Sequence, residues 1–220
     1  MNFLSQLENG IFASKKDLEK FSKNENAKIL VISDSHGARE TFLSIVQTFG
    51  EKADALIFAG DGIFDLLFVI EKAKNHFSTA SWLPPVIAFV KGNNDPSFCS
   101  ADFSKDIIVP PKITMQAGKR TILVSHGHSE GVYYDYSAVQ ATAQVFGADT
   151  AIFGHTHVPA ELMGTTYIMN PGSISLPRHR SSAGFAMLEI TGKNISSIFY
   201  RIENGQKPEF IPYHPEQFYG

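Results

Sequence analysis

Three short and uniformly apolar runs occupy the first half of this 220-residue chain, at residues 29–32, 55–59 and 86–90, and each ends at a turn that contains glycine. Apolar runs of this length are typical of strands that are buried on both faces of a parallel sheet. Helical patterns at 39–49 and 64–76 separate the three runs. The first half therefore predicts a βαβαβ unit in an α/β fold, with any binding site beyond the carboxyl ends of its strands.

The second half of the chain is richer in predicted strands, which glycine, asparagine and proline separate. We interpret it as a second sheet with hairpin connections and one helix at 136–146. The first of these strands contains Pro110-Pro111, which cannot donate ladder hydrogen bonds, so we expect it at an edge. The predicted strands lie at 107–115, 120–125, 150–153, 161–169, 184–191 and 195–202.

The length of the chain favours one domain, which we place at residues 27–204. Residues 1–26 predict an accessory segment that is helical from Lys15 to 21, because Ser14 and Asp17 have the spacing of a capping box. We expect residues 205–220 to form a tail that packs on the domain or extends from it.

Charge and composition limit the partners and the compartment. The chain carries 19 basic and 22 acidic residues, for a net charge of −3, whereas binding to long nucleic acid needs several Lys or Arg contacts. A single cysteine precludes an intrachain disulfide and fits a reducing compartment. The N-terminus lacks a signal-peptide pattern, and the most apolar stretch is too short for a bilayer. We predict a cytoplasmic protein without a membrane or long nucleic-acid partner, and leave open whether it forms a homo-oligomer.

Side chains that commonly bind metals follow the ends of the predicted strands. In an extended segment residues i and i+2 project to the same side, so Asp34 and His36 could bind one ion, and His155 and His157 have the same spacing. Asp61 lies between two glycines, where its carboxylate could bridge two cations. The seven candidate metal ligands are Asp34, His36, Asp61, Asn93, His126, His155 and His157.

This donor set contains carboxylate, imidazole and amide groups but no thiolate. Such donors suit Mn²⁺, Fe, Zn²⁺, Co²⁺ or Ni²⁺ rather than a structural zinc ion bound by cysteine. We expect two divalent ions, with Mn²⁺ as the first choice. Each motif alone fits an ordinary turn or helix cap as well as a metal site. Their joint occurrence favours a metal pair, which makes the attack of water on phosphorus easy.

Five motifs occur in order: Asp34-x-His36, Gly60-Asp61, Gly92-Asn93-x-Asp95, His126-Gly127-His128 and Gly154-His155-Thr156-His157. With Asn170-Pro171-Gly172-Ser173 and Pro177-Arg178, they resemble the calcineurin-like metallophosphoesterases, in particular the small single-domain branch of bacterial and archaeal phosphodiesterases. The resemblance covers residues 28–200 and implies a four-layer α/β/β/α sandwich with a dinuclear metal site between the loop ends of the sheets. It implies one ion bound by Asp34, His36, Asp61 and His157, and a second bound by Asp61, Asn93, His126 and His155.

The resemblance implies a metal-dependent phosphoesterase that hydrolyses phosphodiesters, aryl or nucleotide-like, by attack of a hydroxide that bridges the two metals. The expected catalytic residues are Asp61, Asn93 and His128. Many larger relatives carry a histidine after the ligand asparagine, whereas this chain has Asn94, which cannot act as a general acid. His128 is the remaining candidate acid, and a plain loop role for it stays open. We therefore expect esters with good leaving groups to react best.

The expected substrate contacts are Asn94 and Arg178. Arginine suits phosphate recognition, although arginines near a turn are usually solvated. Tyr133 could stack on an aryl group or a base, or pack in the interior. Because Asp95 has no histidine to orient, we expect it to stabilise its own loop through hydrogen bonds.

Two alternative functions stay open. The same fold resembles the eukaryotic retromer subunit, which is a non-catalytic scaffold with an altered metal site. Every candidate ligand position here holds a competent donor, which favours catalysis. The other alternative is a phosphomonoesterase or nucleotide hydrolase, so the expected partner is a small phosphoester of undetermined identity.

Overall fold

The computed structural model describes residues 5–8, 10–74, 82–100, 106–133, 135–203 and 207–215. Its helices are α1 (Lys15–Ser22), α2 (Arg39–Phe49), α3 (Ile63–Lys74) and α4 (Ser137–Val145). Its strands are β1 (Ser5–Glu8), β2 (Ile11–Ala13), β3 (Asn26–Ile32), β4 (Ala55–Phe58), β5 (Val86–Phe89), β6 (Phe98–Ser100), β7 (Asp106–Ile108), β8 (Lys112–Ala117), β9 (Arg120–Ser125), β10 (Thr150–Ile152), β11 (Ala160–Leu162), β12 (Tyr167–Asn170), β13 (Gly184–Thr191), β14 (Asn194–Glu203) and β15 (Glu209–Tyr213). No helix in these ranges has the length and apolar content needed to cross a bilayer.

The larger sheet has the strand order β1-β2-β5-β4-β3-β13-β14-β15. Strands β3, β4 and β5 are parallel, and α2 and α3 connect them. This arrangement confirms the predicted βαβαβ unit. The end predicted for the second helix, at residue 76, lies outside the described residues.

The smaller sheet has the strand order β11-β12-β10-β9-β8. Its three central strands are parallel, and β8 lies at an edge, as the Pro110-Pro111 pair predicted. The segment around these prolines is not one strand, however, because β7 pairs with β6 in a separate two-stranded ribbon.

Three apolar clusters show that the molecule has four layers. Strand β3 alternates between two of them: Leu30 and Ile32 pack against the layer of α2 and α3, whereas Ile29 and Val31 pack between the two sheets. A third cluster, which includes Val139, fills the space between the smaller sheet and α4. Leu30 is fully buried, and such burial contributes roughly 1.5–3 kcal/mol per side chain. The order helix, sheet, sheet, helix confirms the predicted sandwich.

Two predictions for the second half were wrong. Residues 161–169 form not one strand but the antiparallel hairpin of β11 and β12, because Gly164 and the threonines after it form a turn. The strands at 184–191 and 195–202 do form a hairpin, but it belongs to the larger sheet, where β13 pairs with β3. An alternating pattern predicts a strand without saying which neighbour the strand will choose.

The two chain ends add strands to the larger sheet. Helix α1 begins where Ser14 predicted, with the Ser14 side chain accepting the backbone N–H of Asp17 at 3.1 Å. The segment before it is more than a surface helix, since Ile11 and Ala13 are buried in β2, which pairs with β5. At the other end β15 pairs with β14, while residues 204–206 and 216–220 lie outside the described residues.

Candidate metal centre

Four strands of the two sheets end at one rim of the molecule and present the candidate ligands there. Asp34 and His36 follow β3, Asp61 follows β4, His126 follows β9, and His155 and His157 follow β10. The convergence of these loops was the central prediction, and the structure brings five of these side chains within ion-pair distance of one another.

Asp34 lies at the middle of the cluster. Its Oδ1 atom is 3.1 Å from Nε2 of His157 and 3.8 Å from Nε2 of both His36 and His126. The Nε2 atoms of His36 and His157 are themselves 3.1 Å apart. Asp34, His36 and His157 are one group able to hold a metal ion, and Asp34, Asp61 and His126 are another.

Asp61 lies between the two histidines that flank the cluster. Its Oδ2 atom is 3.4 Å from Nε2 of His126 and 3.7 Å from Nε2 of His36. Gly92 allows this position, because a Cβ atom there would lie 1.9 Å from Oδ1 of Asp61. The two carboxylates thus lie side by side, each within reach of more than one imidazole.

The backbone at the site is strained rather than extended. Asp34, His36, Asp61, His155 and His157 have φ values of 54°, 42°, 59°, 68° and 60°. Non-glycine residues with positive φ are uncommon and cost about 1–3 kcal/mol each when the surroundings hold them in place. Our reasoning from an extended segment was therefore wrong for these loops, although it grouped Asp34 with His36 correctly.

Buried polar atoms point into the cluster without a partner. Oδ2 of Asp34 accepts hydrogen bonds from Ser33 Oγ at 2.6 Å and from the His155 N–H at 3.0 Å, whereas Oδ1 has none among the described residues. His126 Nε2 is equally unpartnered there, while its Nδ1 lies 2.7 Å from the carbonyl oxygen of Ala59. Leaving a buried polar atom unpaired costs about 1–3 kcal/mol. A bound cation would pair both atoms, so the residues fit a metal.

The orientation of the histidines supports this fit. Nδ1 of His157 lies 2.6 Å from the carbonyl oxygen of Leu176, as Nδ1 of His126 does from Ala59. A ring that donates from Nδ1 to a carbonyl oxygen keeps the lone pair of Nε2 for a metal. In both rings it is Nε2 that faces the carboxylates.

Burial and hydrogen bonding act in opposite directions on the carboxylates. Burial alone would raise the pKa of Asp34, but the neighbouring imidazoles of His157 and His36 hold that pKa well below its ordinary value. Burial is likewise outweighed at Asp61, where His126 helps to lower the pKa to about 2. Both groups are therefore anionic at neutral pH, as ligands of a divalent cation must be.

The imidazoles differ according to their neighbours. The neighbouring Asp34 carboxylate raises the pKa of His36. Burial lowers the pKa of His126, but the adjacent Asp61 carboxylate and the charge of Asp34 outweigh it and leave that pKa raised. Burial and the charge of His126 lower the pKa of His155 to about 4. A metal ion binds the neutral form of an imidazole, and His155 is already neutral at neutral pH.

Comparison with known proteins agrees with this geometry. The sequence profile of the calcineurin-like phosphoesterase superfamily domain matches residues 27–193. The chain belongs to this superfamily. It is 32% identical over 173 residues to the probable metallophosphoesterase YsnB of Bacillus subtilis, covering 78% of this chain and 89% of that protein. It is 25% identical over 179 residues to the phosphodiesterase YfcE of Escherichia coli K12, covering 74% and 87%.

A solved structure shares the fold of this chain. Vps29 of Entamoeba histolytica, solved in complex with Zn²⁺, superposes with a TM-score of 0.59 at 21% identity, covering 84% of this chain and 98% of that one. At this identity the likeness extends to the fold alone.

Hydrogen bonds to the Asp95 side chain also hold the loop that carries Asp61. The Asp95 carboxylate accepts the backbone N–H groups of Asp61 at 2.7 Å, and of Gly62, Ile63 and Gly92 at 2.9 Å each. This confirms the predicted role of Asp95 in stabilising its loop, and extends it to the loop after β4. The loop after β4 is thereby tied to the loop after β5.

Asn94 and Asn93 differ in what they contact. Asn94 donates to Asp61 twice, from its backbone N–H to Oδ1 at 2.8 Å and from Nδ2 to Oδ2 at 2.6 Å. Its amide therefore orients the carboxylate, and its predicted contact with substrate stays a prediction. Asn93 is exposed and follows the buried Gly92. Its predicted roles as ligand and catalytic residue are untested by these contacts.

The remaining predicted residues line the open side of the site. The His155 ring centroid is 5.1 Å from that of His126, 4.8 Å from that of Tyr133 and 6.0 Å from that of His128. Arg178 donates to the Tyr133 hydroxyl at 2.5 Å, and that hydroxyl donates to the carbonyl oxygen of His155 at 3.2 Å. The structure thus places Arg178 and His128 next to the candidate ligands, and Tyr133 is half exposed rather than part of the interior.

Sequence reasoning missed two residues that hold the loop after β3. The Ser173 hydroxyl donates to the backbone carbonyl of Asp34 at 2.7 Å, and Asp65 accepts from the Ser35 hydroxyl at 2.6 Å. The Asn-Pro-Gly-Ser motif was visible without a role for its serine. An acidic residue inside the apolar run 63–70 was the signal available for Asp65.

Proposed function

We propose that this protein is a metal-dependent phosphodiesterase that hydrolyses small phosphodiesters with aryl or nucleotide-like leaving groups. The observation that carries the proposal is the convergence of two carboxylates and three imidazoles around Asp34 Oδ1 and His126 Nε2, which have no hydrogen-bond partner within the described part of the chain. Membership of the superfamily supports phosphoester hydrolysis, and the similarity to a phosphodiesterase supports a diester substrate.

Two divalent ions, Mn²⁺ as the first choice, would occupy the cluster. We assign the first to Asp34, His36, Asp61 and His157, and the second to Asp61, Asn93, His126 and His155. Bound there, the ions would supply positive charge for the phosphate and a nucleophilic water. The mixture of oxygen and nitrogen donors fits such ions.

The protein side chains would hold and orient the reactants. Asn94 fixes the Asp61 carboxylate through two hydrogen bonds, so its oxygens stay directed at the cluster. Arg178, held by Tyr133 beside His155, would contact a phosphate oxygen. His128 is the candidate donor of a proton to the leaving group, and its Nδ1 is buried without a partner among the described residues.

The test is a metal-reconstituted assay with esters of graded leaving groups. We expect clear turnover of bis(p-nitrophenyl) phosphate with Mn²⁺, slower turnover of p-nitrophenyl phosphate, and the slowest turnover of alkyl monoesters. A rate that does not depend on the basicity of the leaving group would contradict the expectation that esters with good leaving groups react best.

The same assay separates the alternatives. A protein that binds Mn²⁺ yet turns over none of these esters would be a non-catalytic scaffold. Faster turnover of monoesters than of diesters would instead identify a phosphomonoesterase or nucleotide hydrolase.

A further inference from the structure

Asp65 is a buried carboxylate that lies outside both donor clusters. It sits in the first turn of α3 with only 6% of its surface exposed. Its Oδ2 atom accepts hydrogen bonds from the Ser35 hydroxyl at 2.6 Å and from the Gly37 backbone N–H at 2.8 Å. Asp65 is thus bonded to the residues on both sides of His36.

The residue between these two bonds has a strained backbone. His36 has a φ of 42°, a conformation that costs about 1–3 kcal/mol and persists only when surrounding contacts enforce it. One further bond, from the His36 N–H to the Asp61 carbonyl at 3.2 Å, is long. The bonds to Asp65 are shorter, and a charged acceptor makes them stronger.

The Asp65 carboxylate also lies next to the start of α2. The N-cap residue Ala38 makes no side-chain cap hydrogen bond, so the helix lacks a cap of its own. Asp65 brings an acceptor and a negative charge to the preceding N–H, at the end of the helix where the dipole favours an anion.

Packing leaves no room for another group at this contact. A Cβ atom on Gly62 would lie 1.9 Å from Ser35 Oγ and 2.8 Å from Asp65 Oδ2. Gly62 itself has a φ of 145°, so its backbone turns sharply between Asp61 and α3. The helix that follows Asp61 is therefore connected to the loop that carries His36 through Asp65.

We propose that Asp65 is a positioning residue for His36, holding its imidazole in the orientation that binds the first metal ion. The inference rests on the proposed function, because it takes His36 to be a ligand. Loss of a group that orients a metal ligand typically lowers metal affinity by about 10–100-fold. The loss should fall on the ion at Asp34, His36 and His157 and spare the ion at Asp61 and His126.

The experiment is a calorimetric titration of the metal-free full chain with Mn²⁺, without substrate. Asp65→Ala removes the acceptor of both hydrogen bonds, and we expect the affinity for one of two ions to fall about 10-fold or more. Asp65→Asn keeps the shape of the side chain and one acceptor oxygen. We expect it to retain most of the wild-type affinity for Mn²⁺. Ser35→Ala removes one of the two bonds and should cause a smaller loss at the same ion.

Val69→Ala is the control for general destabilisation, because Val69 is a core residue on the same helix that touches neither loop bond. We expect it to lower the unfolding midpoint while both Mn²⁺ affinities stay at the wild-type values. Equal loss of affinity in Val69→Ala and Asp65→Ala would show a merely structural role and overturn the inference. Wild-type affinities in Asp65→Ala would overturn it too.

If Asp65→Ala does not fold, Ser35→Ala decides the question on the same terms. Wild-type protein that binds no Mn²⁺ would overturn the proposed function and the inference with it. Wild-type protein that binds two ions, with variants that bind them equally well, would overturn the inference alone.

Discussion

The two sides of the candidate metal centre differ in how firmly they are held. On the closed side Asp34, His36 and Asp61 are buried or half-buried. Their loops donate hydrogen bonds to Asp65 and Asp95 and accept hydrogen bonds from Ser173 and Asn94. On the open side Arg178 is exposed, and Tyr133 is 50% exposed. The difference suggests a division of labour: the closed side would bind metal and the open side would select substrate.

Removing the Asp61 carboxylate, which is assigned to both ions, should have the largest effect. We expect Asp61→Ala to lower turnover of bis(p-nitrophenyl) phosphate by more than about 100-fold, the upper range for residues that only support a ligand. Mn²⁺ stoichiometry should fall as well. Asp54→Ala is the matched control, since Asp54 accepts the Lys28 N–H at the opposite ends of β3 and β4. Near-normal turnover and metal content in Asp61→Ala would defeat the scheme.

Removing a support of the closed side should have the next largest effect. Asp95→Ala leaves four backbone N–H groups without their acceptor, at about 1–3 kcal/mol for each one that water does not reach. We expect a fall of at least about 2 kcal/mol in the free energy of unfolding, measured with urea, and a roughly 10–100-fold fall in Mn²⁺ affinity. Unchanged stability would show that the loops do not depend on this carboxylate.

Changes on the open side should alter substrate binding and leave metal binding intact. We expect Arg178→Ala to raise KM for the diester by about 10-fold, the worth of one charge-assisted hydrogen bond, with Mn²⁺ affinity at the wild-type value. Tyr133→Phe should have a smaller effect, because it removes only the hydroxyl that holds Arg178. Lys119→Ala removes a positive charge at the far turn between β8 and β9 and serves as control. A parallel loss of metal in Arg178→Ala would erase the distinction between the two sides.

The smallest expected effect is on the pH dependence of the metal-free protein. The pKa of His155 is about 4 in the folded state, below its ordinary value of 6.5. The unfolded chain therefore takes up this proton first as pH falls, and the stability contributed by neutral His155 is lost between about pH 6.5 and 4. We expect His155→Gln to flatten the fall in unfolding free energy over that range, measured by denaturation at each pH. A slope that is identical in the wild type and in His155→Gln would refute the assignment.

Sequence reasoning predicted the parts of this protein that local pattern encodes. Helix α2 and strands β9 and β13 lie at the predicted residues, because periodicity and turn residues define them within a short window. The candidate ligands converge because strand ends of a parallel sheet share one edge. The partner of β13 was wrong, because an apolar strand of this kind fits either sheet until the whole core is assembled.

The sequence by itself determined which donors stand at the strand ends, and with them the superfamily and the chemistry that such donors support. Only the tertiary structure decided that Asp34, His36 and Asp61 adopt left-handed backbone conformations, and that Ser173, Asp65 and Asp95 form hydrogen bonds with the loops that carry them. The physical reason is the separation in sequence between the residues that interact. A donor and its turn are read from adjacent residues, whereas a strained loop is stabilised by hydrogen bonds to residues about 30 to 140 positions away, such as Ser173 on Asp34.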